Sequence, residues 1–204
     1  MKKTKVTLDF LLKKNACEEG ITWFKLQQKD EINVDVIVHN LITENKHQWA
    51  NWLLTKSLKK TALVKYAVFS ARSVLDIYES KYPEDKRPRN AIETAENYIN
   101  NNITTATVIA HAHAAYAAYA YADDNASYTI NASYAHAAAN AACAIAHATY
   151  ACAAHTHASY ATHASYATAA ACAACAAAAG RQIFTQILEH GITLLDMEEK
   201  NEKN

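Results

Sequence analysis

The sequence predicts an all-α fold, a helical bundle in which long alanine-rich helices pack closely together behind a set of short N-terminal helices. Three observations carry this expectation. From Ala106 to Ala179 there are 36 alanines in 74 residues, with no Gly, Pro, Lys, Arg or Glu among them. Alanine loses no side-chain entropy on entering a helix, so it is the strongest helix former, and nothing in this block breaks one. Ahead of the block, apolar residues recur at helical spacing, as in Val34, Ile37, Val38, Leu41 and Ile42. Caps and breakers divide the chain at Thr7, Asn33, Pro83 and Gly191.

Taken in order, residues 7–14 predict a short helix capped by Thr7, and a second runs through Ala16 to Phe24. Asn33 is placed to cap a third helix. Asn45 is expected to start a fourth, whose Trp49, Trp52 and Leu53 form an i, i+3, i+4 stripe. Such a stripe reads as core. A longer helix from Ser57 or Leu58 carries Leu63, Tyr66, Ala67, Ser70, Val74, Ile77 and Tyr78 on one face and must end by Pro83, which lacks the amide proton a helix needs. Pro88 suits a first helical turn, and the helix it opens, with Ile92, Ala95, Glu96 and Ile99, stops in Asn100-Asn101-Asn102.

As a single rod the alanine block would run roughly 110 Å at about 1.5 Å per residue, too long for the remaining chain to cover, so it is expected to fold back on itself. Asp123-Asp124-Asn125 is the best break and His155-Thr156-His157 a weaker one, giving helices over about 104–122, 127–153 and 158–179. Small side chains let helix axes approach more closely than the usual ~8–10 Å. The eight tyrosines of the block then supply much of its buried area. Ile183, Phe184, Ile187 and Leu188 define a closing helix stopped by Gly191, with Leu194 and Leu195 extending its pattern beyond. One domain spanning residues 1–204 results: amphipathic helices over 1–102, Ala/Tyr/His-rich helices over 103–180, a closing helix over 181–196 and a charged tail over 197–204.

Twenty basic residues balance twenty acidic ones. That steers the chain toward neither nucleic acid nor an anionic membrane, and near-zero net charge favours association, hence a homo-oligomer. Asp9, Lys13, Lys14, Glu18 and Glu19 interrupt any N-terminal apolar run, so no secretory segment is expected. Five cysteines, an odd number, then read as reduced thiols in a cytoplasmic protein.

Three segments together resemble a known family. Ala16-Cys17-Glu18-Glu19-Gly20-Ile21-Thr22-Trp23-Phe24 is similar to the Ala-Cys-x-x-Gly-x-x-Trp-Phe opening of the Imm-five-like putative immunity proteins. Asp85-Lys86-Arg87-Pro88-Arg89-Asn90-Ala91-Ile92-Glu93 resembles their Asp-x-Arg-Pro-Arg-x-Ala-Ile-Glu element, which an Ala/Tyr/His tract follows as it does here. The segment from Arg181 to Ile192 fits their closing helix. The resemblance implies an all-helical cytoplasmic protein that neutralises a toxin through a protein partner, and it transfers no catalytic residues to this chain.

Two sets of residues merit weighing as sites. Asp85, Arg87, Arg89 and Glu93 surround Pro88: Asp85 suits an Asx-type turn, and Arg87 or Arg89 can pair with it or with Glu93. An arginine fork there could equally clamp a partner's carboxylate or phosphate. Cys152 and His155, like Cys172 and Cys175, lie i, i+3 on a helix, and two such pairs on facing helices would make a tetrahedral zinc site. That would need a chain reversal near residue 163, where no breaker sits, so no cofactor is expected. Gly-rich phosphate loops, His-Glu-x-x-His and Gly-x-Ser-x-Gly are all absent from the sequence, which argues for binding over catalysis. A small-molecule or metal sequestering protein and a structural homo-oligomer are the alternatives.

Overall fold

The computed structural model describes residues 4–100 and 182–201 and, between them, residues 108, 109, 111–115, 117, 118 and 147. Among the described residues the architecture is all-α with one small addition, a two-stranded antiparallel sheet that the helical reading did not anticipate. Strand β1 (Lys5–Thr7) pairs with β2 (Glu31–Asn33), Val6 lying opposite Ile32 with both side chains buried. The short apolar-centred triplets give too little periodicity to announce strands by themselves.

Helices α1 (Leu8–Lys13) and α2 (Glu18–Leu26) fill the connection between these strands. Thr7 caps α1 as its sequence suggests, its hydroxyl accepting from the Phe10 N–H at 3.1 Å. The Cys17 thiol does the same for α2, accepting from the Gly20 N–H at 3.4 Å. Helix α3 (Val34–Thr43) follows β2, and Asn33 stands at its N-cap position without a side-chain capping bond. Helix α4 begins at His47 and runs to Ser57, so Asn45 does not start it. Asn45 instead terminates α3 in the left-handed conformation, φ 58°. The N–H groups of Asn45 and Lys46 close back on the carbonyls of Ile42 and Leu41 at 3.0 and 2.7 Å. Asn15, φ 56°, ends α1 by the same double closure, with Asn15 and Ala16 reaching Leu12 and Leu11. Asparagine tolerates this conformation better than most residues, and here it takes the place glycine usually holds after a helix.

The single long helix expected before Pro83 is two, α5 (Lys60–Arg72) and α6 (Leu75–Lys81). The Ser70 and Ser73 hydroxyls donate to the carbonyls of Tyr66 and Phe69 at 2.9 and 2.8 Å, back-bonding that competes with the helix ladder and bends it at this point. Helix α7 (Arg87–Ile99) carries Pro88 in its first turn. The last described helix, α8 (Gln182–Asn201), runs straight through Gly191 and takes in much of the segment expected as a charged tail. It packs on α5, α4 and α3. A Cβ on Gly191 would stand 2.8 Å from both Leu54 Cδ1 and Tyr66 Cε2. The glycine is therefore a point of close helix approach. The Glu199 carboxylate, buried near the end of α8, accepts from the Thr4 N–H at 2.6 Å and ties the chain's two ends together.

The core runs through α3, α4, α5, α6, α7 and α8, with Tyr66 and Tyr78 both fully buried. The described residues of the alanine block join it. Residues 108, 109, 111–115, 117 and 118 are helical, with Val108, Ala112, Ala115 and Ala118 fully buried along one face and Ile109, His113 and Ala117 exposed. Here alanine acts as expected, its small side chain allowing close contact with the core.

Candidate functional site

The first candidate lies where α6 turns into α7. Asp85 Oδ1 accepts from the Arg87 backbone N–H at 3.0 Å, an Asx turn that leads the chain into α7. The Arg87 guanidinium returns to the same carboxylate, Nε to Oδ1 at 2.9 Å and Nη2 to Oδ2 at 2.6 Å, and the buried Tyr78 hydroxyl donates to Oδ2 at 2.6 Å. These donors hold the Asp85 carboxyl down at about 2, the Arg87 bond being the largest cause. The same arrangement pushes the Tyr78 hydroxyl up, chiefly through burial.

Arg89 pairs with Glu79 of α6, its Nε reaching Oε1 at 2.7 Å and its Nη2 reaching Oε2; neither Asp85 nor Glu93 is its hydrogen-bonding partner. Arg72 of α5 forks onto Glu96 of α7 at 2.8 and 2.7 Å. Of the three arginine–carboxylate forks, Arg72–Glu96 and Arg89–Glu79 thus stitch α5 and α6 to α7, and Asp85–Arg87 closes the turn between α6 and α7. In the Asp85 and Glu79 pairs the carboxylate lies beneath, with 15% and 16% of its side chain exposed against 40% and 38% for Arg87 and Arg89. The two guanidiniums face outward on a rigid base. Glu93 is exposed one turn beyond Arg89. The structure therefore brings Asp85 and Arg87 together, adds Glu79, which the sequence reading missed, and leaves Glu93 on the open side of α7. No local spacing marks Glu79, which stands ten residues before its partner.

The second candidate is a cavity of about 490 Å³ between β1, α1, α2, α3 and α4. Val6, Phe24, Ile37, Leu41 and Leu53 form its buried floor. The chain's three tryptophans, Trp23, Trp49 and Trp52, all line it and are all half-buried. The stripe read as core is thus a cavity wall in part. Gly20 stands in the same wall. Two of the indoles are held by one relay through the α3–α4 turn. The Trp23 Nε1–H donates to Glu44 Oε2 at 2.9 Å, the Lys46 ammonium pairs with that oxygen, and the ammonium sits 5.8 Å from the Trp49 ring centroid. These bonds hold the Glu44 carboxyl below the ordinary carboxylate range, the Lys46 bond most of all.

A family model described as Imm-5 like putative immunity protein matches residues 53–190. The chain belongs to this family. The match takes in α5, α6, the Asp85–Glu93 element and α7, so the three arginine forks are all inside it. It begins at the last of the residues lining the tryptophan cavity, so the 16–24 opening and nearly all of that cavity precede the matched residues. No curated protein and no solved structure matches the chain.

The zinc candidates Cys152, His155, Cys172 and Cys175, like the eight tyrosines of the alanine block, lie outside the described residues. Among the described residues no group of three or more His, Cys, Asp or Glu side chains is close enough to hold a metal ion. Nor is any described helix long and apolar enough to cross a membrane.

Proposed function

We propose that this chain is an immunity-type protein that neutralises a toxin by stoichiometric binding, and that Arg87 and Arg89 are the centre of the contact surface. The observation that supports this reading most is the family match itself, which spans α7, the helix carrying both arginines. The geometry adds a physical reason. A guanidinium already oriented by a buried carboxylate loses little rotamer freedom on binding, so it is suited to meet a partner's carboxylate or phosphate in a fixed direction. The exposed Glu93 supplies a complementary charge for register. The function is one of binding, with no reaction assigned to these groups.

The test is co-expression with the product of the gene adjoining its own, scored by host growth and by native mass spectrometry of the pair. Rescue of growth with a complex of fixed stoichiometry is expected. Charge reversal at Glu93→Arg, on the open side of α7, should weaken the complex at least tenfold without moving the unfolding temperature. Failure to form any complex, or a complex indifferent to Glu93→Arg and Arg89→Ala alike, contradicts the reading.

A further inference from the structure

The tryptophan cavity has no part in that binding surface. We propose that it is a binding site for a neutral, planar aromatic small molecule. At about 490 Å³ it falls within the roughly 300–1,000 Å³ of small-molecule pockets, and its lining is of the same kind, largely apolar and aromatic with a few polar groups. Its lining residues include no Lys, Arg, Asp or Glu, so a charged ligand would lose its water without gaining a counter-ion. A cation is disfavoured a second way, because Lys46 already occupies the approach to the Trp49 ring. Three indoles instead favour a flat ring that can stack or sit edge-on against them. The amides of Asn15 and Gln48, both exposed and both in the lining, fix polar substituents at the mouth.

The mouth is also arranged in advance of any ligand. The relay Trp23–Glu44–Lys46–Trp49 links an indole of α2 to one of α4 through the α3–α4 turn, which reduces the ordering left to be done on binding. Gly20 keeps the wall open. A helical glycine is less favourable than alanine by about 1 kcal/mol, yet a Cβ there would meet only the Cys17 Sγ, at 3.3 Å. That single contact is tight, and the exposed Cys17 side chain must give by a few tenths of an ångström to relieve it, so a larger residue at this position adds its bulk to the cavity wall.

The experiment uses the full chain and the neutral dye N-phenyl-1-naphthylamine, read by excitation transfer from the three tryptophans. Binding of one dye per chain in the micromolar range is expected. Gly20→Leu, which fills the wall with a better helix former, should weaken binding at least tenfold while the unfolding temperature holds or rises. Leu26→Ser, on an exposed apolar residue outside the lining, should bind as the natural chain does. Should Gly20→Leu fail to fold, Glu44→Ala on the exposed turn decides, with a threefold or greater loss expected from the loosened mouth. No binding, more than one dye per chain, or affinity unchanged in whichever of these two variants folds overturns the proposal. Because the readout needs no toxin, the site stands or falls separately from the immunity reading.

Discussion

Gly191→Ala is the sharpest test of the packing. The glycine sits inside α8 where that helix crosses α4 and α5, and an added Cβ would lie 2.8 Å from Leu54 Cδ1 and from Tyr66 Cε2, with Tyr66 Cδ2 at 3.2 Å. Ordinary carbon contacts begin near 3.5 Å, so both side chains must retreat by most of an ångström. Neither can do so freely. Leu54 and Tyr66 are fully buried, and the Tyr66 hydroxyl is held by Asn51 Oδ1 at 3.1 Å. Overpacking of a tight core costs about 1–3 kcal/mol, and two immobile neighbours put this site near the upper end. Alanine's better helix propensity returns about 1 kcal/mol. The net loss is about 2 kcal/mol, or a fall in Tm of roughly 4–8 °C for a chain of this size. Helical circular dichroism followed through heat and urea unfolding measures it. Adding Leu54→Ala makes room for the methyl group, so the double variant should lose less than the sum of the two single ones by about 1 kcal/mol or more. An unchanged or raised Tm in Gly191→Ala, or strict additivity with Leu54→Ala, would refute the reasoning.

Two further expectations concern pH. Asp85 has its carboxyl held near 2 in the fold against an ordinary 3.8, so its contribution is complete above about pH 4 and disappears as pH falls from there toward 2. Asp85→Asn should therefore lower stability at pH 7, by on the order of 1–2 kcal/mol, and flatten the acid limb of a urea-midpoint profile between pH 4 and 2; an acid limb as steep as the natural chain's counts against the Arg87 pairing. His190 stacks on Phe69 with centroids 3.9 Å apart, and burial pushes its imidazole below 6.5. Protonation then favours the unfolded chain, so this contribution is whole above about pH 6.5 and is lost as pH falls below it. Around it stand Lys65, Arg72 and Glu96, of which Arg72 and Glu96 are already paired. Replacing it by phenylalanine should reduce the loss of stability between pH 7.5 and 5.5, and an equal loss in both chains would exclude His190 as its source.

Much of the helix pattern was legible because its signals are local. The Thr7 cap, the stop before Pro83, Pro88 in a first turn and the buried face of Val34, Ile37, Val38 and Leu41 each depend on residues within a turn or two. The errors have one cause as well. Asn45 and Gly191 are residues that can end a helix, start one or sit inside one, and the neighbouring sequence does not say which. At Asn45 the left-handed turn closes α3, whereas at Gly191 the approach of α4 and α5 requires the missing side chain. Ser73 breaks a periodic run that apolar spacing alone would carry through.

By itself, then, the sequence determined an all-α chain with an alanine-rich segment and a charged Pro88 corner, since helix propensity, capping and proline geometry act over a few residues. Only the tertiary structure decided that Arg89 pairs with Glu79 while Glu93 stays open, and that Gly191 is a crossing point. It alone also gathered Trp23, Trp49 and Trp52 around one cavity. Those outcomes depend on distances between helices, and a helical repeat records which face a residue occupies without recording what that face will meet.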